Sequence, residues 1–127
     1  VSAQKKKKGK QAPESGQPTR EAVKVTGSQI ENLYQAEYLF AEGEKLFIIE
    51  QYKKALVLFE ESEKFNPKNP TTKYKIAETY QLLEQPNLGL PYIEKALELD
   101  PQNKYFYLLQ ADLYKQAQNL SLIHISE

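Results

Sequence analysis

The sequence predicts an all-α solenoid built from antiparallel helix pairs. Three observations carry that expectation. The first is a spacing of 34 residues between Pro67 and Pro101, with Phe65-Asn66-Pro67-Lys68-Asn69 recurring as Leu99-Asp100-Pro101-Gln102-Asn103. The second is an amphipathic segment ahead of each proline, residues 55–64 and then 89–98. The third is a helical stretch after each proline, with Tyr74 and Tyr80 in one unit and Leu108 and Tyr114 in the next. A fixed period in this range means stacked supersecondary units that cannot bury their apolar faces alone. Such arrays present a surface rather than build a catalytic pocket.

The elements follow in order. Ser28 followed by Glu31 reads as a capping box opening the first helix, which runs from about Gln29 to about Ile49. Asn66-Pro67 and Asp100-Pro101 are stops, because proline cannot continue a helix and pushes the residue before it out of the α region. Asn87 is the expected cap of the helix before the second stop, which leaves Pro91 in its first turn, where it forfeits little hydrogen bonding. The third unit stays in register to Gln118-Asn119.

A helix-turn-helix unit of this length ending in proline resembles the tetratricopeptide repeat. Counting back from the prolines gives units 36–69, 70–103 and a partial unit 104–119. The family's small residue at the eighth position, where the two helices of a pair cross, is Gly43, Ala77 and Ala111. Its large residue at the eleventh is Leu46, Tyr80 and Tyr114. Further on stand Ala55 and Gly89, Phe59 and Ile93, Ser62 and Ala96. Small residues at a crossing let helix axes approach to about 8–10 Å. The chain departs from the pattern where an aromatic is expected (Leu39, Lys73, Tyr107) and where a leucine is expected (Glu42, Ile76, Gln110). The resemblance implies a right-handed α-solenoid, here the N-terminal part of a longer protein, that binds other proteins without catalysis.

Composition bounds the remainder. The formal net charge of zero hides a split, since residues 1–24 hold seven basic and two acidic side chains. Residues 1–27 have almost no large apolar side chains and carry Gly9, Pro13, Gly16, Pro18 and Gly27, which predicts a disordered basic arm. Within it, Lys5-Lys6-Lys7-Lys8-Gly9-Lys10 could meet phosphates or anionic lipid headgroups. No aromatics interleave to stack on bases, which argues against nucleic acid; a solvated linker is preferred to a membrane-surface arm. Val1-Ser2-Ala3 before Gln4 has the small-residue form of a signal-peptidase site, so export to a periplasmic or secreted location and a cytoplasmic one both stand open. Residues 120–127 look unlike the second helix of a pair and read as a non-native tail. They contain the single histidine, His124, with no ligand-type neighbour at metal spacing. There is no cysteine, no phosphate loop, no zinc motif and no nucleophile elbow, so no enzyme activity, metal or cofactor is expected.

Two features carry a functional expectation. In the family the concave wall is lined by the first helix of each pair. Carried over residue by residue, this implies an acidic row of Glu44, Glu78 and Asp112 beside an apolar row of Phe40, Tyr74 and Leu108, with Tyr105 and Phe47 adding aromatic surface. Acids beside exposed aromatics suit a basic-hydrophobic peptide or helix. Family members that clamp chaperone C-terminal carboxylates need Lys and Asn at places that here hold Phe40, Glu44, Lys75, Tyr105 and Leu109, so one cation remains and that use is not expected. The competing reading is a regulatory or targeting part of a larger protein whose functional domain lies downstream. An uncovered third unit also predicts that the chain self-associates.

Overall fold

The computed structural model describes the backbone of residues 26–126 and the side chains of residues 26–123. The lysine run Lys5–Lys10 and the side chain of His124 lie outside the described residues. Among the described residues there are five helices and no strand: α1 Gly27–Ile48, α2 Tyr52–Phe65, α3 Pro70–Leu82, α4 Pro86–Leu99 and α5 Lys104–Ser126. The chain divides into two units, Val1–Ile30 and Glu31–Glu127. The described part of the first is the opening of α1; the helical array belongs to the second.

That opening is a capping box two residues earlier than expected. The Gln29 amide donates to Thr26 Oγ1 at 3.1 Å, and the Thr26 amide donates to Gln29 Oε1 at 2.7 Å. Thr26 and Gln29 have the required spacing as well as Ser28 and Glu31 do, and Ser28 lies inside the helix. Asn69 and Asn103, the last residues of the two recurring motifs, cap the helices that follow. Each side-chain Oδ1 accepts at 2.9 Å, from the Thr71 amide and the Tyr105 amide. The repeat period thus carries the start signal of each first helix along with the proline stop before it.

Helix α4 begins at Pro86, preceded by Gln85, whose side chain makes no cap hydrogen bond. Asn87 is therefore inside the first turn, and Pro91 lies in the second. Proline at the first helical position forfeits nothing and presets φ, so Pro86 starts the helix and Asn87 is not the cap. The helix accepts Pro91 at the loss of one intrahelical bond.

Helices α1 and α3 end alike, and nothing in the sequence marks how. Glu50 and Glu84 stand at φ 65° and 60°. The Gln51 amide reaches back to the Leu46 carbonyl and the Gln85 amide to the Tyr80 carbonyl, both at 2.8 Å. These are Schellman turns with glutamate where glycine usually sits.

The pairs pack as the period requires. A first core cluster joins Ala55, Phe59 and Ile76, with Phe40, Leu46 and Phe47 packed against it. A second joins Ala77, Ile93, Ala96, Leu97, Phe106, Leu109 and Leu113. Gly43 and Ala77 are buried at their crossings. A β-carbon on Gly43 would sit 2.7 Å from Phe59 Cε1, and one on Gly89 would sit 3.0 Å from the Ala77 carbonyl oxygen. Bulk on one helix is met by absence of bulk on the other, which brings the axes close. Ser62 Oγ donates to the buried Ala36 carbonyl at 2.7 Å and ties the end of α2 back to α1.

Helix α5 packs against α4 and α3. It buries Phe106, Leu109 and Leu113, so Leu109 and Leu113 face the preceding pair. Leu108 and Tyr114 are exposed, as is Ala111. Residues 120–126 continue α5. From Lys104 to Ser126 no glycine or proline interrupts the chain, and good helix formers dominate it.

Candidate partner-binding groove

The first helix α3 contacts both α1 and α5. Two aromatic contacts join them. Lys75 of α3 places Nζ 3.7 Å from the centroid of the Phe47 ring on α1. Tyr74 of α3 stacks on Phe106 of α5 with centroids 5.2 Å apart and planes at 26°. On each helix an acid follows an apolar residue by one turn: Phe40 and Glu44, Tyr74 and Glu78, Leu108 and Asp112.

These residues differ in how available they are. Phe40 is half-buried, its ring centroid 5.4 Å from that of Phe59, so much of it serves the core. Phe47 is half-buried between Tyr52, edge-on at 5.3 Å, and Phe59 at 6.3 Å, with Lys75 over its face. Tyr105 and Leu108 are 61% and 60% exposed. Lys104 hovers 5.6 Å from the Tyr105 ring. Glu44 and Asp112 make no ion pair among the described residues. Glu78 does, accepting from Lys75 Nζ at 3.1 Å.

The structure draws Tyr74, Glu78 and Asp112 into one electrostatic neighbourhood. The Tyr74 hydroxyl is pushed above its ordinary pKa by burial first, then by the charges of Glu78 and Asp112. Those carboxylates belong to the successive first helices α3 and α5. The array also buries a polar pair that the sequence pattern does not suggest. Lys73 is buried and its Nζ is bound by the carboxylate of Glu63. The ammonium stands where the repeat pattern calls for an aromatic.

Among the described residues no group of three or more His, Asp or Glu side chains is placed to hold a metal, and no helix is long and apolar enough to cross a membrane.

Paired helices stacked at this period define a helical-repeat protein of the tetratricopeptide-repeat fold. Solved structures agree. The chain is similar to the Arabidopsis OM64 TPR domain at TM-score 0.67 and 22% identity, covering 69% of this chain and 73% of that one. It is similar to the first TPR of Spaghetti (RPAP3) bound to the HSP90 peptide SRMEEVD at TM-score 0.65 and 20% identity, covering 69% and 70%. No family model matches the sequence.

Proposed function

We propose that the chain is a non-catalytic protein-interaction adaptor whose α1–α3–α5 face takes a basic-hydrophobic peptide or helix. The observation that carries this reading is Tyr74, half-buried, with the charges of Glu78 and Asp112 both bearing on its hydroxyl. Exposed Leu108 and Tyr105 supply apolar contact on the same helix as Asp112. Charge complementarity then selects the partner, and apolar anchors hold it.

The similar fold of the RPAP3 domain holds a peptide, which supports the use of such a face for short segments. That peptide, SRMEEVD, is rich in carboxylates. This chain's face carries carboxylates of its own, with Glu44 and Asp112 outside any ion pair among the described residues and Lys75 already engaged by Glu78 and Phe47, so it suits a peptide of the opposite sign. The reading is tested with two labelled peptides of alternating Leu and Arg or Leu and Glu. Binding of the arginine peptide in preference to the glutamate peptide is expected; equal binding, or the reverse order, removes the reading.

A further inference from the structure

Taking that face as the binding surface, on which this inference rests, we propose that Lys75 is a built-in competitor for a partner's arginine. Its ammonium occupies a slot made by the Phe47 ring and the Glu78 carboxylate, and a guanidinium entering the groove takes the slot by displacing it.

The slot is a formed cation site. Phe47 is held from its sides by Tyr52 and Phe59, so its free face is pre-positioned. Glu78 places Oε1 3.1 Å from the cation, and the Lys75 side chain is only 15% exposed. An aromatic face together with a carboxylate, both partly desolvated, are the two groups that attract a cation most strongly.

Lysine is an imperfect occupant. An ammonium has three donors. One goes to Glu78, and Lys75 Nζ makes no other hydrogen bond or ion pair among the described residues. A guanidinium fits the same two walls better, because it is planar, stacks on a ring and offers parallel donors to one carboxylate. Glu44 and Asp112 carry no ion pair of their own among the described residues and would draw a cation toward the face. Lys75 thus sets a threshold. A peptide with isolated positive charge gains little by replacing one ammonium with another, whereas one presenting arginine beside apolar residues gains the stacking and the second hydrogen bond.

The test measures binding of three labelled peptides, in which Leu alternates with Arg, Lys or Glu, to the full 127-residue chain. Lys75→Ala should tighten the arginine peptide by about tenfold and the lysine peptide by clearly less. Lys95→Ala, which changes net charge equally at an exposed site on the second helix α4, should shift both by about twofold or less. Adding Phe47→Leu to Lys75→Ala should abolish the gain. Equal gains in the two lysine variants, or none in Lys75→Ala, overturn the slot. A wild type that does not prefer the arginine peptide to the glutamate peptide instead overturns the groove reading beneath it. The Phe47 ring protons of the wild type supply a measurement independent of variant folding: they should shift on titration with the arginine peptide, and unmoved signals also overturn the slot.

Discussion

The Tyr80 hydroxyl of α3 donates to Glu60 Oε2 of α2 at 3.1 Å, linking one helix pair to the pair before it. The bond recurs one repeat later, from Tyr114 of α5 to Glu94 of α4 at 3.4 Å. A carboxylate on the second helix of one unit thus meets a tyrosine on the first helix of the next. Glu60 and the exposed Glu94 serve as inter-unit ties.

The first prediction follows from the Tyr80 tie. Burial, then the bond to Glu60 and its charge, push the Tyr80 hydroxyl from 10.0 to about 12. Below pH 10 the hydroxyl is protonated in both the folded and the unfolded chain, and its stabilising bond is intact. Above pH 10 the unfolded chain releases a proton that the folded chain retains, so stability is lost as pH rises toward about 12. Melting curves of the wild type should therefore fall more steeply over that window than those of Tyr80→Phe. At neutral pH Tyr80→Phe should cost about 1 kcal/mol for the lost bond. Parallel pH profiles for the two proteins would show that Tyr80 does not hold its proton.

The second prediction contrasts three positions in one register. Ala77→Leu should cost about 1–3 kcal/mol by overpacking the α3–α4 crossing, where Gly89 already lies against the Ala77 backbone. Gly43→Ala should also destabilise, although alanine is the better helix former by about 1 kcal/mol, because its β-carbon would collide with the buried Phe59 ring. Ala111→Leu should be close to neutral, because Ala111 is exposed. Urea titrations report all three. A cost at Ala111 equal to that at Ala77 would place the crossings elsewhere.

The third prediction concerns Glu50 and Glu84, both in left-handed backbone. A side chain there costs roughly 1–2 kcal/mol that glycine avoids, offset in part by glycine's freer unfolded chain. Glu84→Gly and Glu50→Gly should each raise stability by about 1 kcal/mol, or several degrees in melting temperature for a domain of this size. The double variant should show nearly the sum, since the two turns share no hydrogen-bonding partner. Unchanged melting in both single variants would mean that these turns are not strained.

Those same residues show what the sequence makes legible and what it hides. The period exposes features set by chain-local chemistry: proline stops, small residues at crossings, and helix pairs of fixed length. Gly43, Ala77 and the two loop prolines suffice for the architecture. Contacts between units are harder, because a repeat specifies each unit but not which side chain of one meets which of the next. Lys75 over Phe47, Tyr80 on Glu60 and Lys73 on Glu63 all belong to that class. Local alternatives hide too. Thr26 and Ser28 offer equally good caps, Pro86 outcompetes Asn87 by presetting φ, and a Schellman turn with glutamate lacks the glycine that would mark it. For the proposed face, the register sets Tyr74 and Glu78 on α3 and Asp112 on α5, and both carboxylates bear on the Tyr74 hydroxyl. It cannot reveal that Phe40 is spent largely on Phe59, or that Glu78 already has a cation.

The last prediction treats the acids of the proposed face as a set. Charges along a groove steer a partner and weaken with salt, whereas apolar anchors act at any ionic strength. Glu44→Lys, Glu78→Lys and Asp112→Lys together should weaken binding of the arginine-leucine peptide by well over tenfold at low salt, with circular dichroism confirming that the helices persist. The loss should shrink as salt is raised. Leu108→Ala, on the exposed part of α5, should weaken binding by a factor that salt does not change. The control reversal needs acids with no inter-unit role, which excludes Glu60 and Glu94. Glu61, paired among the described residues only with Lys64 on its own helix, and exposed Glu98 serve instead, and reversing both should alter binding by less than about twofold. If the control reversal weakens binding as much as the groove reversal does, attraction depends on overall charge alone, and the face of α1, α3 and α5 has no privileged part in it.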